Sequence, residues 1–427
     1  MGKSKPNGHR SRPSTEAILH QPSAHVKAPS RKSKPIATLL DEAASLLDEG
    51  QPDAALPLAQ ECMRRLQTEQ PPPSKLPNTD YTTTLLQLTA QEKPTLPQAV
   101  VLVAETYLAL GDTQSATTHF EAAVRLDPEG QIISADPLCN LAQLCDEGGT
   151  KSIEYFERGC EVLRNEIRGL KALQQADEDG DEDTLLTDMK QAQLADVLCG
   201  MAEVYMTDLS WEADAEQKCE AYVTEALAIC PEAYSAGTLA ALANVRISQE
   251  RIDEAREALR RSLAVWEDIP AEIESDSRPD FASRISLSRL LMEVGMLDEA
   301  MGAIEGLLGE DDESVETCYL AGWCQVLMAE GEEEQEKSAT LAKDRARAYI
   351  DMCLRLYQAQ GYEDEKLRDH ALELRQSLNK ELGIEDGEEE WEDEEDEDID
   401  GDVEVIEEDG VNGSNHMKDN DSDVDMT

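Results

Sequence analysis

Residues 97–130 read PQAVVLVAETYLALGDTQSATTHFEAAVRLDPEG, and the order of apolar, small and turn residues in this stretch decides the fold. Val100, Val103, Ala104, Tyr107 and Leu108 recur at steps of three and four, which places them on one face of a helix. Gly111 and Asp112 end that helix and begin another, because glycine tolerates the left-handed conformation at a helix C-terminus and aspartate suits the next N-terminus. The second helix presents Ala116, Phe120, Ala123 and Val124, and Pro128 closes it two residues after Leu126. Small alanines let the two helices approach, while Phe120 fills the groove between them.

An ordinary amphipathic hairpin in an all-α domain has the same local pattern, so repetition along the chain decides. The bulky, small and aromatic positions, the A-x3-F-x2-A run and the closing proline together match the 34-residue tetratricopeptide unit. From Ile36 a first copy sets Leu39, Leu40, Ala43, Leu46 and Leu47 against Ala55, Ala59, Cys62 and Met63, with Gly50 at the turn. Pro71–Pro73 opens an irregular linker that runs to the copy at 97–130. A degenerate copy at 133–166 carries Leu138, Leu141 and Leu144, then Ser152, Phe156 and Gly159. An acidic stretch at 174–184 reads as a surface loop. Further copies follow at 194–232, with about five extra residues near Trp211, and at 236–269, 281–314 and 315–360. The last of these is interrupted by EGEEEQEKSAT, and a capping helix is expected at 364–382.

The expected architecture is therefore all-α: a superhelical solenoid over 36–384 of about seven helix pairs, near 36–69, 97–130, 133–166, 194–232, 236–269, 281–314 and 315–360, each packed on its neighbours. Residues 1–35 hold eight Lys/Arg and one acid, and residues 385–427 hold 22 acids and one Lys. Neither segment has the apolar content to offset the entropy of ordering, so both are expected to stay disordered. Arg31–Pro35 is a short basic cluster of the nuclear-import kind.

The net charge is −54, of which −40 falls on residues 36–384. Such a chain repels nucleic acid and anionic membrane and attracts basic partners. Ten cysteines without a CxxC pair read as free thiols in a reducing compartment. No apolar run reaches the ~18 residues of a membrane span, and the N-terminus has no signal-peptide core, so cytoplasm and nucleus are the expected locations. Phosphate-loop, dinucleotide, zinc-protease and nucleophile-elbow motifs are all missing, which gives no basis for an enzyme, a cofactor or a metal. His119 is expected on the exposed side of its helix.

Binding is the better reading, because the first helix of each pair builds the inner wall of such a solenoid. Repeat register places Glu105, Leu108, Glu203, Met206, Asn244, Glu316, Tyr319 and Trp323 on that wall. Carboxylates beside apolar and aromatic surface suit an extended basic segment, through charge-assisted bonds to Lys or Arg and rings stacked on guanidinium groups. Several of these side chains alternatively fill core between repeats. Repeats that clamp an acidic C-terminus need Lys and Asn on this wall, and here Asn244 and Arg289 are isolated. A histone chaperone and a scaffold subunit of a larger complex are the alternative functions.

GKSK near the start, repeats from about 36 to 384 and EEEWEDEEDEDID near the end together resemble the fungal tetratricopeptide assembly chaperones dedicated to large-subunit ribosomal protein L-four. The resemblance implies a monomeric chaperone that captures the client's long basic loop, keeps it soluble, accompanies it into the nucleus with the import machinery and releases it to pre-ribosomes. It assigns no individual contact residue.

Overall fold

The computed structural model describes residues 34–69, 93–174, 181–270, 273, 275–331 and 336–384. Most of the expected basic arm, most of the proline-rich linker and the acidic tail lie outside the described residues.

Among the described residues the chain forms fifteen α-helices, one short 3-10 turn and no strand. The pairs are α1 (Ile36–Asp48) and α2 (Pro52–Glu69), α3 (Leu96–Ala109) and α4 (Thr113–Leu126), α5 (Asp136–Gln143) and α6 (Gly149–Gln174), and α7 (Asp181–Met206) and α8 (Ala215–Ile229). They continue with α9 (Ala236–Ser248) and α10 (Ile252–Ala264), α11 (Phe281–Glu293) and α12 (Leu297–Glu310), and α13 (Val315–Gly331) and α14 (Glu336–Gln360), before the last helix α15 (Glu365–Leu382). Each even-numbered helix packs on the odd-numbered helices before and after it. Odd-numbered helices also touch one another, α1 on α3 and then α7, α9, α11, α13 and α15 in series. The result is a tetratricopeptide-type solenoid, with the odd helices as inner layer and the even helices as outer layer.

Small residues set the spacing between helices. Ala43, Ala59, Ala116, Ala123, Ala226, Ala243, Ala255 and Ala300 are fully buried, and Phe120, Phe156, Leu259 and Ile304 fill the grooves between them. At Gly322 the packing is tight: a Cβ there would stand 2.6 Å from Ile350 Cδ1, so α13 and α14 meet where only glycine fits.

Four hairpin turns share one hydrogen-bonded form. Gly50, Gly111 and Gly295 adopt φ of 71°, 75° and 73°, and each donates its N–H three residues back, while the next residue donates five residues back. Both bonds satisfy carbonyls left free at the helix end. The fourth turn places Glu250 at that position, with φ of 60° and the same pair of bonds, Glu250 N–H to the Ile247 carbonyl and Arg251 N–H to the Arg246 carbonyl. Among the described residues it is the one non-glycine residue with positive φ.

Three expectations need correction. His119 is buried, its Nδ1 2.7 Å from the Ser115 carbonyl and its ring 5.2 Å from that of Tyr107; the ring lies against the partner helix α3 of its own hairpin instead of facing water. Residues 181–184, expected in an acidic loop, are the first turn of α7. Helices α6 and α7 form a long antiparallel hairpin in which Gln174 donates to the Thr187 hydroxyl and Lys190 pairs with Glu166 at 2.9 Å. Residues 336–340, expected in an insertion, open α14, as strong helix formers such as Glu, Lys and Ala allow. Residues 175–180 and 332–335 lie outside the described residues.

All ten cysteines are free thiols, six of them buried and four half-buried. Burial pushes the Cys353 thiol up to about 12. No described helix is long and apolar enough to cross a membrane.

Candidate functional site

The inner wall is concave where α7, α9 and α11 lie side by side. A cavity of about 540 Å³ opens there, with Gly200, Ala240 and Ala241 among its lining residues. Glu203, Met206 and Asn244, three of the residues placed by repeat register, line it together. Asp196 joins them and was missed by the sequence reading. It precedes Glu203 by seven residues, two helical turns, so the register that found Glu203 also points to it. Asp196 keeps an exposed surface but stands in a hollow where protein replaces much of the surrounding water, and that burial pushes its carboxyl up to about 6.

Glu105 and Leu108 sit on α3, apart from this cavity. Glu105 is half-buried, and its carboxyl is pushed up to about 7 by burial, then by the carboxylates of Asp136 and Asp48. Those three acids come from α3, α5 and the end of α1, so the N-terminal part of the wall is also electronegative. Asp136 is held by Ser134 and by Gln193 of α7. Leu108 is half-buried and packs against the core of the following repeats, so it belongs to the structural interior rather than to an open wall.

The three residues on α13 have partners already. Glu316 is ion-paired with Arg289 of α11. Tyr319, expected to offer its ring to a ligand, is buried; its hydroxyl lies 2.7 Å from Nδ1 of His370 on α15. Trp323 is half-buried with its ring 5.9 Å from Tyr319 and 5.4 Å from His370. The three rings close the junction between the last hairpin and the terminal helix. His370 carries no local sequence signal for this role, because the contact spans 51 residues.

No group of three or more His, Cys, Asp or Glu among the described residues is arranged to hold a metal ion. The wall offers carboxylates, an amide and apolar patches along the hollow: carboxylates can receive ammonium or guanidinium donors, and apolar surface can take aliphatic stems.

Comparison with known proteins places this geometry. The tetratricopeptide repeat model matches residues 97–129. The chain is 36% identical over 401 residues to a probable assembly chaperone of rpl4 from Emericella nidulans, covering 90% of this chain and 92% of that protein. It is 33% identical over 288 residues to a probable assembly chaperone of rpl4 from Schizosaccharomyces pombe, covering 66% of this chain and 80% of that one. A solved structure of the assembly chaperone of RpL4 (Acl4), residues 1–338, superposes with a TM-score of 0.56 at 39% identity, over 71% of this chain and 99% of that one. With identity running through nine-tenths of its length, the chain belongs to the family of the probable assembly chaperones of rpl4.

Proposed function

We propose that this protein is a dedicated chaperone of the basic ribosomal protein rpl4, large-subunit protein L-four, whose extended basic segment it holds along its inner wall. The observation that carries the reading is the hollow lined by Asp196, Glu203, Met206 and Asn244, on a solenoid whose relatives carry that role in their names. A segment made to fold against RNA has many Lys and Arg and little core, so before assembly it binds RNA indiscriminately. An acidic wall competes for that charge, and the hollow supplies a low-dielectric setting in which each ion pair counts for more than in water.

On this reading the protein acts one-to-one as a monomer, without catalysis, cofactor, direct nucleic-acid contact or membrane. It takes up the client in the cytoplasm, travels with it through the import machinery and gives it up to pre-ribosomes in the nucleus.

Affinity purification from the native cell at moderate salt, with mass spectrometry and a repeat at high salt, tests this reading. The expected result is one ribosomal protein, rpl4, in one-to-one amount, lost as salt rises and lost when its basic segment is deleted. Recovery of core histones instead, or of a salt-resistant set of neutral proteins, overturns it.

A further inference from the structure

The inner hollow does not end at the wall. It shares Met206 and Val245 with a second cavity of about 420 Å³ at the α7–α8 and α9–α10 turns, where Tyr205, Ser210, Glu216 and Glu250 stand. That rim cavity in turn shares Glu216 and Gln249 with a third hollow, about 740 Å³, along the outer side of α8. Shared lining residues thus link three neighbouring hollows, from the inside of the solenoid, over its edge, to its outer surface.

Two features single out the rim. Trp211 is 74% exposed on a turn that is firmly held: Leu209 beside it is buried, Ser210 donates its hydroxyl to the Thr207 carbonyl at 2.9 Å, and Glu212 N–H bonds the Leu209 carbonyl at 3.0 Å. An indole fixed in water on an ordered turn is a typical anchor for a partner. Glu250 is the second feature. It occupies the left-handed position that Gly50, Gly111 and Gly295 take in other repeats, so the chain keeps a backbone strain that glycine would relieve, and the side chain kept at that cost lines the rim cavity. Acids outnumber cations here: Asp208, Glu212, Asp214, Glu216 and Glu250 belong to these turns, Lys218 sits 4.5 Å above the Tyr205 ring and pairs with Asp214, and Arg251 pairs with Glu220 and Glu254. The rim thus already displays, within the chain, a cation seated on an aromatic ring.

We infer that the basic segment of the client leaves the inner wall at Met206, crosses the rim between Glu216 and Glu250 with a Lys or Arg stacked on Trp211, and continues on the outer face of α8. This rests on the function proposed above and extends it with a second, external surface.

The test uses the full chain and intact rpl4. A photo-crosslinking phenylalanine analogue is placed at Trp211, at Glu203 in the inner hollow, and at Arg260 on the outer side of α10 as control. The expected result is crosslinks from positions 203 and 211 to the same basic segment, and none from 260. Crosslinking from 203 without 211 overturns the rim path and leaves the function standing; crosslinking from neither removes both. In parallel, the variant W211A/E216Q/E250G is expected to weaken client binding about tenfold, while E250G relieves backbone strain and protects the fold. Unchanged affinity in that variant, with wild-type melting, overturns the path as well.

Discussion

Arg289 on α11 is ion-paired with Glu316 on α13, so one inner-wall carboxylate already holds a cation contributed by the chain itself. The guanidinium is nearly half exposed, and such pairs add little to stability. Arg289→Ala is therefore expected to change unfolding free energy by less than about 1 kcal/mol. It frees Glu316 for the client and removes a repulsive charge, so affinity for rpl4 is expected to rise a few-fold at low salt. Titration calorimetry with paired denaturation curves checks both parts.

Glu105 is pushed up to about 7 from an unfolded value near 4.5. Below pH 4.5 it is protonated in both states and neutral to stability. Between 4.5 and about 7 folding takes up a proton, so this group's contribution falls as pH rises, and above 7 the full penalty remains. Glu105→Gln is expected to stabilise the protein by about 2 kcal/mol at pH 8 and to remove that part of the pH slope, measurable by urea unfolding across the range. A client cation beside Glu105 acts in the opposite sense and releases its proton, so wild-type binding is expected to tighten from pH 6 to 8 and Glu105→Gln to lose part of that trend, the rest belonging to Asp196, itself pushed up to about 6.

Glu250→Gly is expected to stabilise the fold by about 1 kcal/mol, because it removes a Cβ from a left-handed position while leaving both turn hydrogen bonds intact. Thermal melting reads the gain. A loss of stability would mean that the Glu250 carboxylate is a structural support.

Gly322→Ala is expected to cost about 1–3 kcal/mol. The added methyl would lie 2.6 Å from Ile350 Cδ1 and Cγ1 and 3.2 Å from the Ala346 carbonyl oxygen, and α13 and α14 would have to part. Pairing it with Ile350→Val, which shortens the obstructing side chain, is expected to recover part of the loss in the same unfolding assay.

The repeat itself was legible because tetratricopeptide packing is local: Ala243, Ala255, Leu259, Leu291, Ala300 and Ile304 follow the sequence period and are all fully buried. Three of the eight residues placed by register, Glu203, Met206 and Asn244, line one hollow for the same reason. Contacts between distant residues were not legible. Tyr319 is covered by His370, which lies 51 positions away, and His119 is buried with its ring against Tyr107 of the neighbouring helix, a contact that the period of its own helix does not reveal. Acid-rich runs misled in a different way: the same composition serves a loop and a helix end, and only the pairing of α6 with α7 distinguishes them.

Titration calorimetry of intact rpl4 into the wild-type chain and into D196N/E203K, at about 0.1 M and about 0.5 M salt, tests the central claim most directly. Both substituted side chains are exposed in the inner hollow, so the fold is expected to melt unchanged. The account predicts one-to-one binding by the wild type that weakens strongly with salt, and at least a tenfold loss in the variant at low salt. Binding of equal strength by both proteins, insensitive to salt, would contradict it.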